Sequence, residues 1–136
     1  MKWLRTLFTS AEVRDLRALA LSQIGASLLE QGNAEGARRA LEQAVELAPK
    51  LVEARVNLGL LLLHTEPDHR LAEREFRKAL ASSPNDLRAL QGLGTVLTLG
   101  GRWAAAEDVW RRVLLADPDH RQAQASLAAA RSRRGP

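Results

Sequence analysis

Residues 52–86 read VEARVNLGLLLLHTEPDHRLAEREFRKALASSPND, and this stretch decides the fold. Val56, Leu58, Leu61 and Leu62 give a first helix apolar surface on more than one side, up to a break at Thr65-Glu66-Pro67-Asp68. A second run carries Ala72, Phe76, Ala79 and Leu80 at helical spacing and stops before Pro84, since proline cannot continue a helix. The stretch is therefore two helices and a turn. Gly59 stands inside the first helix, where glycine costs about 1 kcal/mol against alanine, so packing must be what keeps it there.

The same unit lies on either side. Pro49, Pro84 and Pro118 are spaced 35 and 34 residues apart, and Gly25, Gly59 and Gly94 are spaced 34 and 35. A period of this length marks a repeat array, in which each helical pair buries its apolar face against its neighbours. Upstream, Thr9 and Glu12 form a capping-box pattern that predicts a helix from near Ser10. Val13, Leu16, Ala20, Ile24 and Leu28 follow at helical spacing, ending at Gln31-Gly32-Asn33, a terminating glycine and an N-capping asparagine. The next helix carries Ala37, Leu41, Ala44 and Val45. Downstream, a helix from Asp86 to Leu99 breaks at Gly100-Gly101, and its partner carries Ala106, Val109, Trp110 and Val113. A last helix, from about His120 to Ser132, has Ala125, Leu127 and Ala128 for burial and reads as a solvating cap, with Arg131-Ser132-Arg133-Arg134 as a frayed tail. The glycines in register predict close helix approach, with Ala37, Ala72 and Ala106 facing them.

Composition agrees. Alanine and leucine, both strong helix formers, dominate, and aromatics are 4%, so the chain is all-α. No cysteine is present, which excludes disulfides and thiolate chemistry. A net charge of +4, mostly from arginine, tilts the surface only weakly toward anions. No stretch approaches the roughly 20 apolar residues of a membrane span. The start, Met1 to Phe8, is interrupted by Arg5 and too short for a signal peptide, so a cytoplasmic location is expected.

On these residues the chain resembles the tetratricopeptide repeat family. Leu21, Ile24, Gly25, Leu28, Ala37, Leu41, Ala44 and Pro49 fall on its signature positions. So do Leu58, Gly59, Leu62, Ala72, Phe76, Ala79 and Pro84, and then Leu90, Leu93, Gly94, Leu97, Ala106, Trp110, Val113 and Pro118. Trp103 stands where the family favours an aromatic early in the second helix. There are two departures. Leu21, Arg55 and Leu90 replace the family's usual tryptophan, and the middle repeat has one extra residue, placed in the turn at 66–70. The resemblance implies a right-handed superhelical α-solenoid of three helix pairs, with a C-terminal capping helix and an N-terminal helical extension. The expected division is an extension over 1–17, repeats over 18–51, 52–86 and 87–120, and a cap and tail over 121–136. Met1 and the polar last helix favour a whole chain.

The resemblance also implies a non-enzymatic adaptor that holds a peptide or partner segment in the concave groove lined by each repeat's first helix. The groove-facing residues are then Leu19, Ser22, Gln23 and Ala26, followed by Glu53, Val56, Asn57 and Leu60, then Arg88, Gln91 and Thr95, and finally Gln122. Asn57 and Gln91 are expected to pair with a peptide backbone, Arg88 with a carboxylate, and Leu19, Val56 and Leu60 to offer apolar pockets. A chaperone-binding subgroup clamps a C-terminal carboxylate with lysine, arginine and asparagine. Only Asn57 and, loosely, Arg88 match it here, and Ser22, Ala26 and Gly92 stand where it needs polar or basic groups, so that reading is rejected.

Two other surfaces compete. Arg77, Lys78, Arg111 and Arg112 occupy equivalent places in consecutive second helices and form a convex basic patch suited to an acidic partner. Trp103 and Trp110 are assigned to the core, which leaves no exposed aromatics for base stacking, so nucleic acid is not expected. If the N-terminal segment is helical, Trp3, Leu4, Leu7 and Phe8 form an apolar stripe that covers the first repeat, or this stripe or the edge of the array supports self-association into a homo-oligomer. A Trp-bearing basic helix also suits a membrane surface, weakly at this length. Catalysis and cofactors are not expected. His64, His69 and His120 lack zinc-pair spacing and read as surface histidines, and Gly100-Gly101 is a turn rather than a phosphate loop.

Overall fold

Thr9 and Glu12 cap the first helix reciprocally. The Thr9 N–H donates to Glu12 Oε2 at 2.6 Å, and the Glu12 N–H donates to Thr9 Oγ1 at 3.1 Å. From there the computed structural model, which describes residues 8–135, runs as seven α-helices with no strand among the described residues. They are α1 (Ser10–Glu30), α2 (Ala34–Leu47), α3 (Val52–Thr65), α4 (Arg70–Ser82), α5 (Leu87–Leu99), α6 (Trp103–Ala116) and α7 (Arg121–Arg134). Trp3, Leu4 and Leu7 of the N-terminal stripe lie outside the described residues, and Phe8 is about half exposed.

The turns follow their chemistry. Gly32 and Gly101 adopt φ of 78° and 68°, which suits residues without a Cβ. The following N–H groups of Asn33 and Arg102 reach back to the Leu28 and Leu97 carbonyls and satisfy the ends of α1 and α5. The middle turn is one residue longer, as the sequence requires. It has no glycine, and Asp68 organises it by accepting from the Arg70 N–H and guanidinium.

Each first helix packs on its second: α1 on α2, α3 on α4, α5 on α6. The first helices α1, α3, α5 and α7 also touch in series, whereas α2, α4 and α6 do not touch one another. Contact along one layer only bends the stack, and the first helices line its inner side.

The glycines sit against the largest side chains of the partner helix. A Cβ on Gly25 would lie 2.5 Å from Leu41 Cγ, on Gly59 2.7 Å from Phe76 Cε1, and on Gly94 2.7 Å from Trp110 Cε2. The nearest atoms belong to Leu41, Phe76 and Trp110, one turn beyond the Ala37, Ala72 and Ala106 expected to face the glycines. Those alanines are buried one turn earlier, and the space left by each missing Cβ is filled by a bulky group. Gly92 of the next repeat also closes on the Phe76 ring, at the same Cε1, Cζ and Cδ1 atoms. Trp110 is buried, and its Nε1–H donates to Thr98 Oγ1 at 3.0 Å. Trp103 is only half-buried, with the Arg133 guanidinium 5.6 Å over its ring.

Ion pairs join successive repeats at one equivalent position. Arg38, Glu73 and Glu107 follow Ala37, Ala72 and Ala106 and so share one repeat position. Arg38 pairs with Glu66 of the next turn at 2.5 Å, and Glu73 with Arg102 of the next turn at 2.8 Å. Glu107, buried, meets Arg131 at 3.4 Å and Arg134 at 3.0 Å from α7. The terminal arginines therefore pin α7 instead of fraying. The cap also buries Ala123, Leu127 and Ala130, while Ala125 and Ala128 stay exposed, because α7 is rotated relative to the expected face.

Burial pushes the Glu73 carboxyl up, but hydrogen bonds from Arg77 and Arg102 outweigh it and hold the pKa below the ordinary glutamate value. A carboxylate depressed in the folded state stabilises above its unfolded pKa, and that stability is lost as pH falls through the folded value. Acid titration of stability should therefore fall more steeply below about pH 4.5 for the wild type than for Glu73→Gln. Equal slopes would show that the pair adds nothing.

The inner groove as candidate functional site

The repeat positions sort the groove residues into columns along the inner helices. Leu19, Glu53, Arg88 and Gln122 form one, on α1, α3, α5 and α7 in turn. Leu19 and Glu53 are half-buried, and Arg88 and Gln122 are exposed. Ala26, Leu60 and Thr95 form a second column, all half-buried. Gln23 is exposed beside them. Leu19, Ala26 and Leu60 give α1 and α3 apolar surface broken by Gln23 and Glu53, and α5 and α7 present Arg88, Thr95 and Gln122.

Three expected contact residues are corrected. Ser22, Val56 and Asn57 are buried, with Ser22 and Asn57 turned toward each other across neighbouring first helices. Asn57 Nδ2 donates to Ser22 Oγ at 3.1 Å, and Asn57 Oδ1 accepts from Arg88 Nη2 at 2.8 Å. Both ends of the amide are thereby engaged inside the protein, and the side chain is buried rather than presented at the groove surface. Its work is to tie three repeats together and to hold Arg88. Among the described residues no carboxylate pairs with Arg88, and a guanidinium carries five N–H groups. The held side chain therefore keeps donors for an anion.

Gln91 is also engaged. Its side-chain amide meets His120 Nε2, while His120 Nδ1 accepts the Ala123 N–H at 3.1 Å and caps α7. The contact is between the Gln91 side-chain nitrogen and His120 Nε2, and the tautomer of the ring sets which of the two donates. His120 is thus a half-buried joint between α5 and α7, not a plain surface histidine. The sequence carried a signal for this. His120 occupies the repeat position of Asp86, whose carboxylate caps α5 through the Ala89 N–H. Thr95 donates to the Gln91 carbonyl at 2.9 Å within its own helix.

The convex cations are mostly occupied. Arg77 pairs with Glu73 at 3.0 Å and Arg111 with Glu107 at 2.5 Å. Arg112 donates to the Pro84 carbonyl of the preceding repeat. Lys78 has no carboxylate partner among the described residues. Also among them, no helix is long and apolar enough to cross a membrane, and no cluster of three or more histidine, aspartate or glutamate side chains is placed to hold a metal.

Stacked helix pairs with glycine-to-bulky contacts at each period are a repeat-family architecture, and comparison places it. Tetratricopeptide repeat profiles match residues 23–66 and 63–130, and the chain belongs to the tetratricopeptide repeat family. It is 35% identical over 106 residues to the type IV pilus assembly protein PilF of Pseudomonas aeruginosa, covering 78% of this chain and 40% of that one. The chain thus spans less than half of PilF. An uncharacterised protein, y4yS, of Sinorhizobium fredii is 25% identical over 130 residues, covering 93% of this chain and 71% of that protein. Among solved structures, the first tetratricopeptide repeat domain of Spaghetti (RPAP3), bound to an HSP90 peptide, superimposes with a TM-score of 0.83 at 18% identity, covering 90% of this chain and 98% of that one. At that identity the likeness shows the fold alone.

Proposed function

We propose that the protein is a non-enzymatic cytoplasmic adaptor whose inner groove holds an extended segment of a partner protein. One observation carries the reading. Arg88 projects from the inner layer, is fixed by the buried Asn57–Ser22 ladder, and has no internal acid among the described residues. An unpaired guanidinium held in place is suited to the carboxylate of an acidic side chain. The half-buried Leu19, Ala26 and Leu60 surface suits an apolar residue of the same segment. Peptide binding by the Spaghetti domain, and the assembly role in PilF's name, agree with an interaction module.

Peptides selected from a displayed library on the wild-type chain should carry an acidic group beside an apolar residue. Arg88→Glu should weaken them about 10- to 100-fold, from loss of a charge-assisted hydrogen bond of roughly 1.5–3 kcal/mol. Peptides that bind both forms equally would remove the groove from the account.

A further inference from the structure

Helix α1 carries an apolar row that nothing among the described residues covers. Leu16, Ala20 and Ile24 are spaced by four along it, and Leu16 and Ile24 are 56% and 51% exposed. The same repeat positions are buried elsewhere. Ala20 corresponds to Ala54, Ala89 and Ala123, and Ile24 to Leu58, Leu93 and Leu127, which are 6%, 3% and 8% exposed. In α3, α5 and α7 this face docks on the preceding helix pair. The α1 face is therefore a docking surface with three precedents inside the same chain.

We propose that it receives a second copy of this chain, with two α1 helices crossing antiparallel about a two-fold axis at Ala20. The row is self-complementary about that point. Leu16 of one copy falls opposite Ile24 of the other, and the two Ala20 methyls at the crossing let the helices approach closely. Arg17 and Gln23 are equally spaced from Ala20, so the rotation sets each guanidinium against an amide instead of a like charge. Head-to-tail stacking would instead need the outer face of α7, where Gln124, Ala128 and Ser132 are exposed and no large apolar side chain is. Phe8, Leu16, Leu19 and Leu51 line an open hollow beside the row, with Glu12 and Asp15 in the same lining. One helix face still falls short of the about 800 Å² per partner of a standard interface. The pair should therefore form at high concentration and exchange readily.

Because the chain has no cysteine, Ala20→Cys provides a single thiol at an exposed position. Mild oxidation of the concentrated full-length variant should give a disulfide-linked dimer of twice 14.9 kDa, since a residue on the axis meets its own copy. Leu115→Cys, on exposed α6 surface, is the control and should cross-link far more slowly. Leu16→Cys mixed with Ile24→Cys should give the mixed dimer in preference to either homodimer. Adding Ile24→Glu to Ala20→Cys should suppress cross-linking in a protein with unchanged helical circular dichroism. Equal rates for Ala20→Cys and Leu115→Cys would overturn the proposal. So would an Ala20→Cys thiol shielded from a small alkylating reagent in a species that stays monomeric, the sign of cover from within the chain.

Discussion

Phe76→Ala is expected to cost about 3–5 kcal/mol of unfolding free energy, a large share of the 5–15 kcal/mol typical of a domain. Phe76 is fully buried, and two backbones close on its ring: Gly59 of its own repeat and Gly92 of the next. Neither glycine has a side chain that could move into the space, so the cavity stays open. The converse change should also destabilise. Gly92→Ala improves helix propensity by about 1 kcal/mol, but its Cβ would press on a ring that Gly59 also closes on, and overpacking costs typically 1–3 kcal/mol. A smaller ring-position side chain and a larger glycine-position one should therefore compensate partly, with Phe76→Leu plus Gly92→Ala closer to the wild type than the sum of those two single changes. Urea unfolding followed by circular dichroism measures all of these. A loss under about 1 kcal/mol for Phe76→Ala would mean the repeats close over the site without it.

Arg55→Leu should cost a comparable amount for a different reason. Arg55 Nη1 lies 2.8 Å from Glu75 Oε2, with the two side chains only 11% and 5% exposed, and Arg55 Nε also donates to the Pro49 carbonyl at 3.0 Å. Removing one partner of a buried pair leaves the other charge uncompensated, at about 3–5 kcal/mol. Arg74, 4.0 Å from Glu75, is mostly solvated and replaces little of it. Arg55 stands where the family usually has tryptophan, so the pair substitutes for an aromatic plug. Arg55→Trp combined with Glu75→Leu should therefore recover most of the loss, whereas Arg55→Leu alone should not. If the single variant unfolds like the wild type, water or Arg74 already serves Glu75.

How much of this was legible in the chain depended on whether a feature is local. The Thr9–Glu12 box, the Asn33 cap and the stops before Pro49, Pro84 and Pro118 are decided within a few residues, and the helices begin and end close to them. The three-fold glycine beat revealed close packing. Its true partners, Leu41, Phe76 and Trp110, could be assigned only once helix rotation was known. Asn57 illustrates the limit at the groove. Its column faces inward or sideways according to a modest rotation of α3, and the structure turns it sideways into Ser22 and Arg88. Sequence spacing alone does not resolve that angle. Arg131, Arg133 and Arg134 read as a tail because their partners, Glu107 and Trp103, are remote in sequence.

The central claim is that a partner's segment lies in the inner groove and is anchored at Arg88. The most direct measurement is an amide chemical-shift titration of the full chain with a library-selected acidic peptide, repeated with Arg88→Glu. The account predicts shifts confined to the column of Leu19, Glu53, Arg88 and Gln122 and to its neighbours Ala26 and Leu60, lost in the variant. Shifts centred on Lys78 and Arg112, or unchanged in the variant, would place binding on the convex face and contradict it.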